Sequence, residues 1–202
     1  MTARLVLATL NPHKITELER ILAAGRVAAE LVGLGEFPGA PDVAETGATF
    51  VANALQKAAA VARFTGLPAV ADDSGFCVDA LNGMPGVLSA RWSGKHGDDQ
   101  ANLCLLLAQL TDVPDERRGA HFDCAAALVL PSGRQHVTEG TVHGRVIRLP
   151  RGENGFGYDP IFVPERSELT MAEMTAEAKD AISHRGRALR ALAPVIAALL
   201  GG

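Results

Sequence analysis

Two carboxylates stand side by side in Ala71-Asp72-Asp73-Ser74-Gly75, where a short apolar run from Pro68 ends. An unpaired buried carboxylate is very costly, so a doublet here calls for cations or water. Paired carboxylates facing phosphates point to Mg²⁺, a hard ion that takes oxygen ligands and keeps several waters. An Asp-Ser-Gly turn accounts for the same residues with no ligand at all. Glu45-Thr46-Gly47 comes before a helix bearing Asn53 and Lys57. Asn53 and Lys57 are four apart and share a face, and Glu45 offers a further oxygen to a metal, although a solvated face explains Lys57 equally well. In Thr9-Leu10-Asn11-Pro12-His13-Lys14, a helix start offers free N–H groups to an anion. Lys14 in that first turn opposes the helix dipole unless an anion lies between them. Capping by Asn11 beside a solvated Lys14 is the plainer alternative.

Two more stretches suit a flat ring. Gly152 to Pro160 holds three glycines within six residues, then Phe156-Gly157-Tyr158-Asp159. Glycines permit close backbone approach, and a purine stacked on Phe156 fits the loop, as does a simple turn with a hydrophobic anchor. Ser183-His184-Arg185-Gly186 has Lys179 four residues before Ser183. Ser183 is a helix cap, and Arg185 is a natural bidentate donor to a phosphate or an oxygen-bearing base edge. A P-loop is excluded, because Gly94-Lys95 lacks the upstream glycine and is followed by His96. A serine-hydrolase elbow is excluded too, since no G-x-S-x-G occurs.

The elements that must position these residues alternate between strand and helix. Leu5 to Ala8 reads as a buried strand, and Pro12 opens a helix with Ile15, Leu18 and Leu22 on its apolar face. A Gly/Pro-rich stretch runs from Gly33 to Gly47, then a helix from Thr49 to Phe64 closed by Gly66. Pro68 to Asp72 is a short strand that Gly75 to Val78 continues or pairs with, and Asn82-Gly83 is a turn. Asp98 caps a helix ending near Leu110. Ala120 to Leu130 alternates as a half-buried strand, with Gln135 to Ile147 as its antiparallel partner, interrupted at Gly140 and Gly144. Helices follow from Met171 to Ile182 and from Ser183 to Leu200, the last kinked at Pro194. The expected fold is α/β, a mixed twisted sheet with flanking helices and two lobes around a cleft.

Composition narrows the function classes. The chain has 202 residues and carries 19 Lys plus Arg against 23 Asp plus Glu, a net charge of −4 with 4% aromatics. That argues against nucleic-acid binding, which leaves a basic footprint or stacking aromatics. Cys77, Cys104 and Cys124 are an odd number with no CxxC pair, so they read as small buried thiols rather than zinc ligands or disulfides. With no signal peptide and no long apolar run, the sequence reads as a cytoplasmic protein that makes no membrane contact.

The ordered set LATLNPHKITEL, ETGATFVANALQKA, PAVADDSGFCVDALNGMPGVLSARWSG, GFGYDPIFVP and AISHRGRAL spans nearly the whole chain. It closely resembles the inosine triphosphate pyrophosphatase family of Ham1/RdgB-like enzymes, which clear abnormal purine triphosphates from the nucleotide pool. The resemblance implies an elongated mixed sheet with a central cleft, one domain of two lobes over 1–202, a Mg²⁺ requirement and a homodimer. It implies that Thr9, Leu10, Asn11, Pro12, His13 and Lys14 hold the triphosphate, with no individual role for Pro12 or His13, and that Lys57 lies near it. By the same resemblance Glu45 and Asp73 are metal carboxylates, Asp73 is also the general base, and Ser74 touches substrate. Phe156, Gly157, Tyr158 and Asp159 form the base loop, while Lys179, His184 and Arg185 read the base. The substrates implied are dITP, ITP, XTP and dXTP, cut to monophosphate and pyrophosphate. A Maf-like pyrophosphatase for pyrimidine or modified nucleotides, and a nucleotide-binding protein without catalysis, are the alternatives.

Overall fold

The computed structural model describes residues 3–200 and, of Pro12 and His13, the backbone alone. Among the described residues seven strands form one sheet. They are β1 (Ala3–Leu7), β2 (Ala29–Gly33), β3 (Ala69–Val78), β4 (Met84–Pro85), β5 (Gly119–Val129), β6 (Gln135–Val146) and β7 (Phe162–Pro164). Their order is β2-β1-β3-β5-β6-β7, with β4 paired to β3. β1 runs parallel to β2 and β3, whereas β3 with β4 and β6 with β7 are antiparallel. The helices are α1 (Pro12–Ala24), α2 (Phe50–Thr65), α3 (Asp99–Gln109), α4 (Ala176–Ile182) and α5 (His184–Leu200). The fold is therefore mixed α/β with flanking helices, and no helix among the described residues is long and apolar enough to cross a membrane.

The chain forms two compact units. The first holds residues up to Asp73, Cys124–Gly140 and the chain from Arg185 on; the second holds Ser74–Asp123 and Thr141–His184. β3, β5 and β6 each start in one unit and finish in the other.

In the first unit the period of two along each strand sorts side chains onto opposite faces. Leu5, Leu7, Val70, Cys124, Ala126 and Leu128 pack with Leu18 and Leu22 of α1 and with Leu189, Leu192 and Ile196 of α5. Val6, Ala69, Ala71, Ala125, Ala127 and Val129 pack instead with Ala54, Ala58, Val61 and Ala62 of α2. Both sides of that second contact are lined mainly by alanine, so α2 lies close over β3. In the second unit Phe76, Val78, Ala120, Phe122, Val142 and Val146 pack with Leu103, Leu106 and Leu110 of α3 and its C-terminal cap.

Several expectations need correction. Pro68 to Asp72 and Gly75 to Val78 are one ten-residue strand, β3, so the Asp doublet lies within a strand and not at its end. Cys124 to Val129 of β5 is buried throughout, because helices cover both faces there and not one. β6 is continuous through Gly140 and Gly144. At Gly144 a Cβ would strike the Val163 carbonyl and the Phe162 ring, so glycine lets β7 approach instead of breaking the strand. α4 begins at Ala176 and not at Met171; Thr175 accepts from Ala178 N–H as its cap, while Met171 N–H donates to Phe162 O and its side chain joins the core. β2 and β7 fall in stretches that showed no strand pattern. Cys77 and Cys124 are buried as expected, but Cys104 is exposed. α5 runs on through Pro194 to Leu200.

Candidate active site

The Asp doublet is divided by the pleat of β3. Asp72 points to the face covered by α1 and α5, and Asp73 to the face covered by α2, because each follows the parity of its neighbours Val70 and Ala71. Both are buried, at 6% and 8% exposure. Each meets its own set of partners, which removes the objection to burying two adjacent carboxylates.

Asp72 accepts from Lys14 Nζ on both oxygens, at 3.0 and 2.8 Å, and from Arg185 Nε at 3.0 Å. Arg185 Nη1 also lies 4.0 Å from Glu17 Oε2. Burial alone would raise the Asp72 carboxyl, but the Lys14 ammonium and the Arg185 guanidinium outweigh it and hold the group far below the usual carboxylate range. Arg185, deeply buried, is held firmly protonated by Asp72. Lys14 stands in the first turn of α1, after a turn in which Asn11 N–H donates to Thr9 Oγ1 at 3.1 Å. The misfit of a cation at a helix start is thus met within the protein by Asp72.

On the other face Asn53 Nδ2 donates to Asp73 Oδ2 at 2.9 Å, and Lys57 Nζ to Asp73 Oδ1 at 3.3 Å and to Glu45 Oε1 at 2.7 Å. Asn53 Oδ1 accepts from Gly47 N–H at 2.7 Å. A Cβ on Gly47 would fall 2.7 Å from both that oxygen and the Ala52 Cβ, so glycine is what lets the Glu45-Thr46-Gly47 segment close onto α2. Thr49 caps α2, accepting from Ala52 N–H at 3.1 Å. Burial and the Glu45 carboxylate raise Asp73 from its ordinary value, and this prevails over the opposing Lys57 and Asn53. Burial would lower Lys57, but Asp73 and Glu45 raise it.

Glu45 and Asp73 thus converge on one cation, the Lys57 ammonium. An oxygen-only donor pair already gathered around a positive charge fits a hard divalent ion. A cavity of about 690 Å³ lined by Thr9, Leu10, Phe37, Pro41, Glu45 and Lys57 opens beside them, within the size range of small-molecule sites.

The remaining candidates lie in the second unit. Phe156 is 65% exposed, and Lys179 Nζ stands 5.1 Å from its ring centroid. Asp159 is consumed internally: Oδ2 accepts from Phe156 N–H at 2.9 Å and is paired with Lys179. Gly157 N–H donates to Asp99 Oδ2 at 2.9 Å. Tyr158 sits in the core, stacked on Phe76 at 5.0 Å, with its hydroxyl donating to Ser89 O at 3.0 Å. Within the loop, then, Phe156 offers an exposed face while Tyr158 and Asp159 hold the loop's shape. His184 stacks on Phe122 at 5.0 Å and 13°. Ser183 lies between α4 and α5, its hydroxyl donating to Asp180 O at 3.4 Å.

The structure therefore gathers Lys14, Arg185 and Asp72 in one group and Glu45, Lys57 and Asp73 in another, both in the first unit. Phe156, Gly157, Tyr158, Asp159, Lys179 and His184 belong to the second. Ser74 begins the second unit on β3, and Leu10 is largely exposed. The side chains of Pro12 and His13 lie outside what is described. Sequence reasoning offered Asp72 to a metal together with Asp73, but the structure spends it on Lys14 and Arg185; Asn53, Asp99 and Phe122 were left without roles. The Asn53–Lys57 spacing was a signal for the first of these; Asp99 and Phe122 carried none.

Comparison with known proteins identifies the family. The family model described as Ham1 family matches residues 5–195. A Streptomyces coelicolor protein named dITP/XTP pyrophosphatase is 62% identical over 198 residues, covering 98% of this chain and 99% of that one. The crystal structure titled nucleoside-triphosphatase / dITP/XTP pyrophosphatase from Mycobacterium abscessus has 58% identity and a TM-score of 0.82, covering 96% of this chain and 99% of its own. A HAM1 protein structure from Coxiella burnetii has 41% identity and a TM-score of 0.89, covering 96% and 98%. A match along nearly the full length, in sequence and in fold, makes this chain a member of the Ham1 family.

Proposed function

We propose that this protein hydrolyses the triphosphates of inosine and xanthosine nucleosides, dITP and ITP together with XTP and dXTP, to monophosphate and pyrophosphate. One observation carries the reading: Asp73 shares the Lys57 ammonium with Glu45 beside a small-molecule cavity. Membership of a family whose close relatives are named dITP/XTP pyrophosphatase supports the choice of substrate.

In-line attack of water on phosphorus is catalysed mainly by positioning and charge neutralisation. Asp73 orients the water and takes its proton. Glu45 and Asp73 are the residues that would hold Mg²⁺, which when bound neutralises phosphate charge and polarises the water. Lys14 and Lys57 balance the remaining charge around the triphosphate, held in the turn from Thr9 to Lys14, and Ser74 contacts substrate. Phe156 stacks on the purine. Arg185, its Nε anchored on Asp72, His184, fixed against Phe122, and Lys179 read the oxygen at purine position 6. Adenine would set a donor against those donors, at about 1–3 kcal/mol for each one left unpaired. The enzyme works as a homodimer in the cytoplasm, where the nucleotide pool lies.

The test is pyrophosphate release with Mg²⁺ across ITP, XTP, GTP, ATP and UTP. ITP and XTP should exceed ATP by at least about tenfold in kcat/KM, the equivalent of about 1.4 kcal/mol. A preference for UTP would favour the Maf-like reading, and tight ITP binding without release would favour a non-catalytic one.

A further inference from the structure

The second unit carries a group of metal-ligating side chains that the proposed chemistry does not use. Phe76, Val78, Ala120, Phe122 and Val142 turn one face of β3, β5 and β6 into the core. The alternate residues Cys77, His121, Asp123, Thr141 and His143 therefore fall on the opposite face of the same three strands, and Asp79 follows directly where β3 ends. Cys77, His121 and Asp123 each place one ligand atom within 4.8 Å of the other two. We propose that these three residues form a binding site for a borderline-soft divalent ion of the zinc type, distinct from the hard-ion carboxylates Glu45 and Asp73.

The donor set decides the ion. One sulfur, one imidazole nitrogen and one carboxylate oxygen match Zn²⁺, whereas Mg²⁺ takes oxygen and is poorly served by a thiol. The three come from adjacent strands, β3 and β5, so a rigid ladder holds their spacing.

The surroundings have the form that supports metal ligands. His121 Nε2 lies 3.4 Å from Asp123 Oδ2, on the ligand side, while Nδ1 faces Asp79 Oδ1 at 3.8 Å. A carboxylate behind the far ring nitrogen of a ligating histidine fixes its tautomer and orientation. Asp79 reaches that position because residue 119 is glycine: a Cβ there would collide with the Asp79 carboxylate. Asp123 is oriented in turn, its Oδ1 accepting from the Thr141 hydroxyl at 2.6 Å. Asp123 thus has a hydrogen-bonded outer partner, and His121 has a neighbouring carboxylate whose place rests on a glycine. The ring of His143 lies 5.5 Å from that of His121 but is not part of the three-residue group. Binding would displace the Cys77 thiol proton to solvent, as metal–thiolate formation requires.

Cobalt(II) is the probe, because its thiolate complexes absorb by sulfur-to-metal charge transfer. The full chain, stripped with a chelator, should bind one Co²⁺ with that absorption, displaced by Zn²⁺ and unaffected by excess Mg²⁺. Cys77→Ala should abolish the band, and Cys104→Ser should leave it intact. Asp79→Asn should weaken Co²⁺ binding by about ten- to a hundredfold, the usual effect of losing an outer-shell partner. Should Cys77→Ala fail to fold, Asp123→Asn serves instead, with loss of the high-affinity band expected. Absence of the band in the unaltered chain, its persistence in Cys77→Ala or Asp123→Asn, or its loss in Cys104→Ser would each overturn the site. None of these readouts involves nucleotide hydrolysis, so they stand apart from the proposed activity.

Discussion

Asp72→Asn isolates the energetic consequence of the Asp72 cluster. The substitution keeps the shape of the side chain and removes its charge, leaving Lys14 and Arg185 facing a neutral amide. The Asp72 side chain is 5% exposed, Arg185 15% and Lys14 24%. Removing one partner of a buried ion pair costs about 3–5 kcal/mol, because the other charge remains desolvated. Lys14 can swing toward water more readily than Arg185, so the lower end applies, about 3 kcal/mol. For a chain of this length that lowers Tm by roughly 6–12 °C. Urea unfolding at pH 7 should show the loss in the midpoint with an unchanged m-value. A second change, Arg185→Gln on top of Asp72→Asn, removes the stranded guanidinium and should recover part of the deficit. A single variant within about 1 kcal/mol of wild type would refute the argument that Asp72 is held as a buried charge by these two cations.

The same carboxyl sets an acid dependence. Its folded pKa lies far below the ordinary 3.8, so between the two values the unfolded chain binds one more proton and stability rises with pH. The Asp72 contribution is therefore complete above about pH 5 and drains away as pH falls through 3.8 and below. In Asp72→Asn the slope of stability against pH below 4 should flatten by up to about 1.4 kcal/mol per pH unit.

Asp73→Asn should behave in the opposite way. Turnover should fall by about 10²–10⁴, the usual worth of a general base, with nucleotide affinity largely kept, while metal-free stability stays level or rises. The sign follows from the raised folded pKa: the ionised group is a penalty that is present at neutral pH and relieved on protonation. Gly47→Ala should cost activity through position, because its Cβ meets Asn53 Oδ1 and Ala52; kcat should drop with little change in KM, and near-normal kcat would remove Asn53 from the positioning of Asp73. Phe156→Ala should raise KM for ITP with Tm nearly unchanged, whereas Tyr158→Phe should lower stability by about 1 kcal/mol through loss of the bond to the Ser89 carbonyl, with KM kept.

Local signals in the sequence were read well where one residue type dictates the backbone. Pro12 opens α1, Thr49 and Gly66 bracket α2, and Asp98 caps α3. β2 and β7 escaped because they are five and three residues long, and their strand character comes from the neighbours they pair with. The helix assigned from Met171 failed for a related reason: apolar spacing shows that Met171 is buried, but not that its N–H is taken by Phe162 O. In the site, a Phe-Gly-Tyr run in a glycine-rich loop does not reveal which ring faces outward. That depends on Phe76, eighty-two positions before Tyr158 in the chain, being there to stack on it.

The doublet shows why spacing and environment must be read together. Within a strand, consecutive residues face opposite ways, so the closest pair of carboxylates along the chain is also a pair the backbone keeps in different surroundings. α1 and α5 bring Lys14 and Arg185 to Asp72 and depress it; α2 brings Asn53, Lys57 and the Glu45 segment to Asp73, and burial beside a second carboxylate raises it. Two chemically identical groups, one bond network apart, are driven in opposite directions, the arrangement that separates a fixed charge from a proton acceptor. Exchanging their roles would require exchanging helices, so an Asp retained at 72 cannot replace one lost at 73. Asp73→Ala should thus remain inactive at every pH where the protein is folded, however much charge Asp72 still carries, and a pH–rate profile that regained activity in that variant would show that the pleat does not keep the two apart.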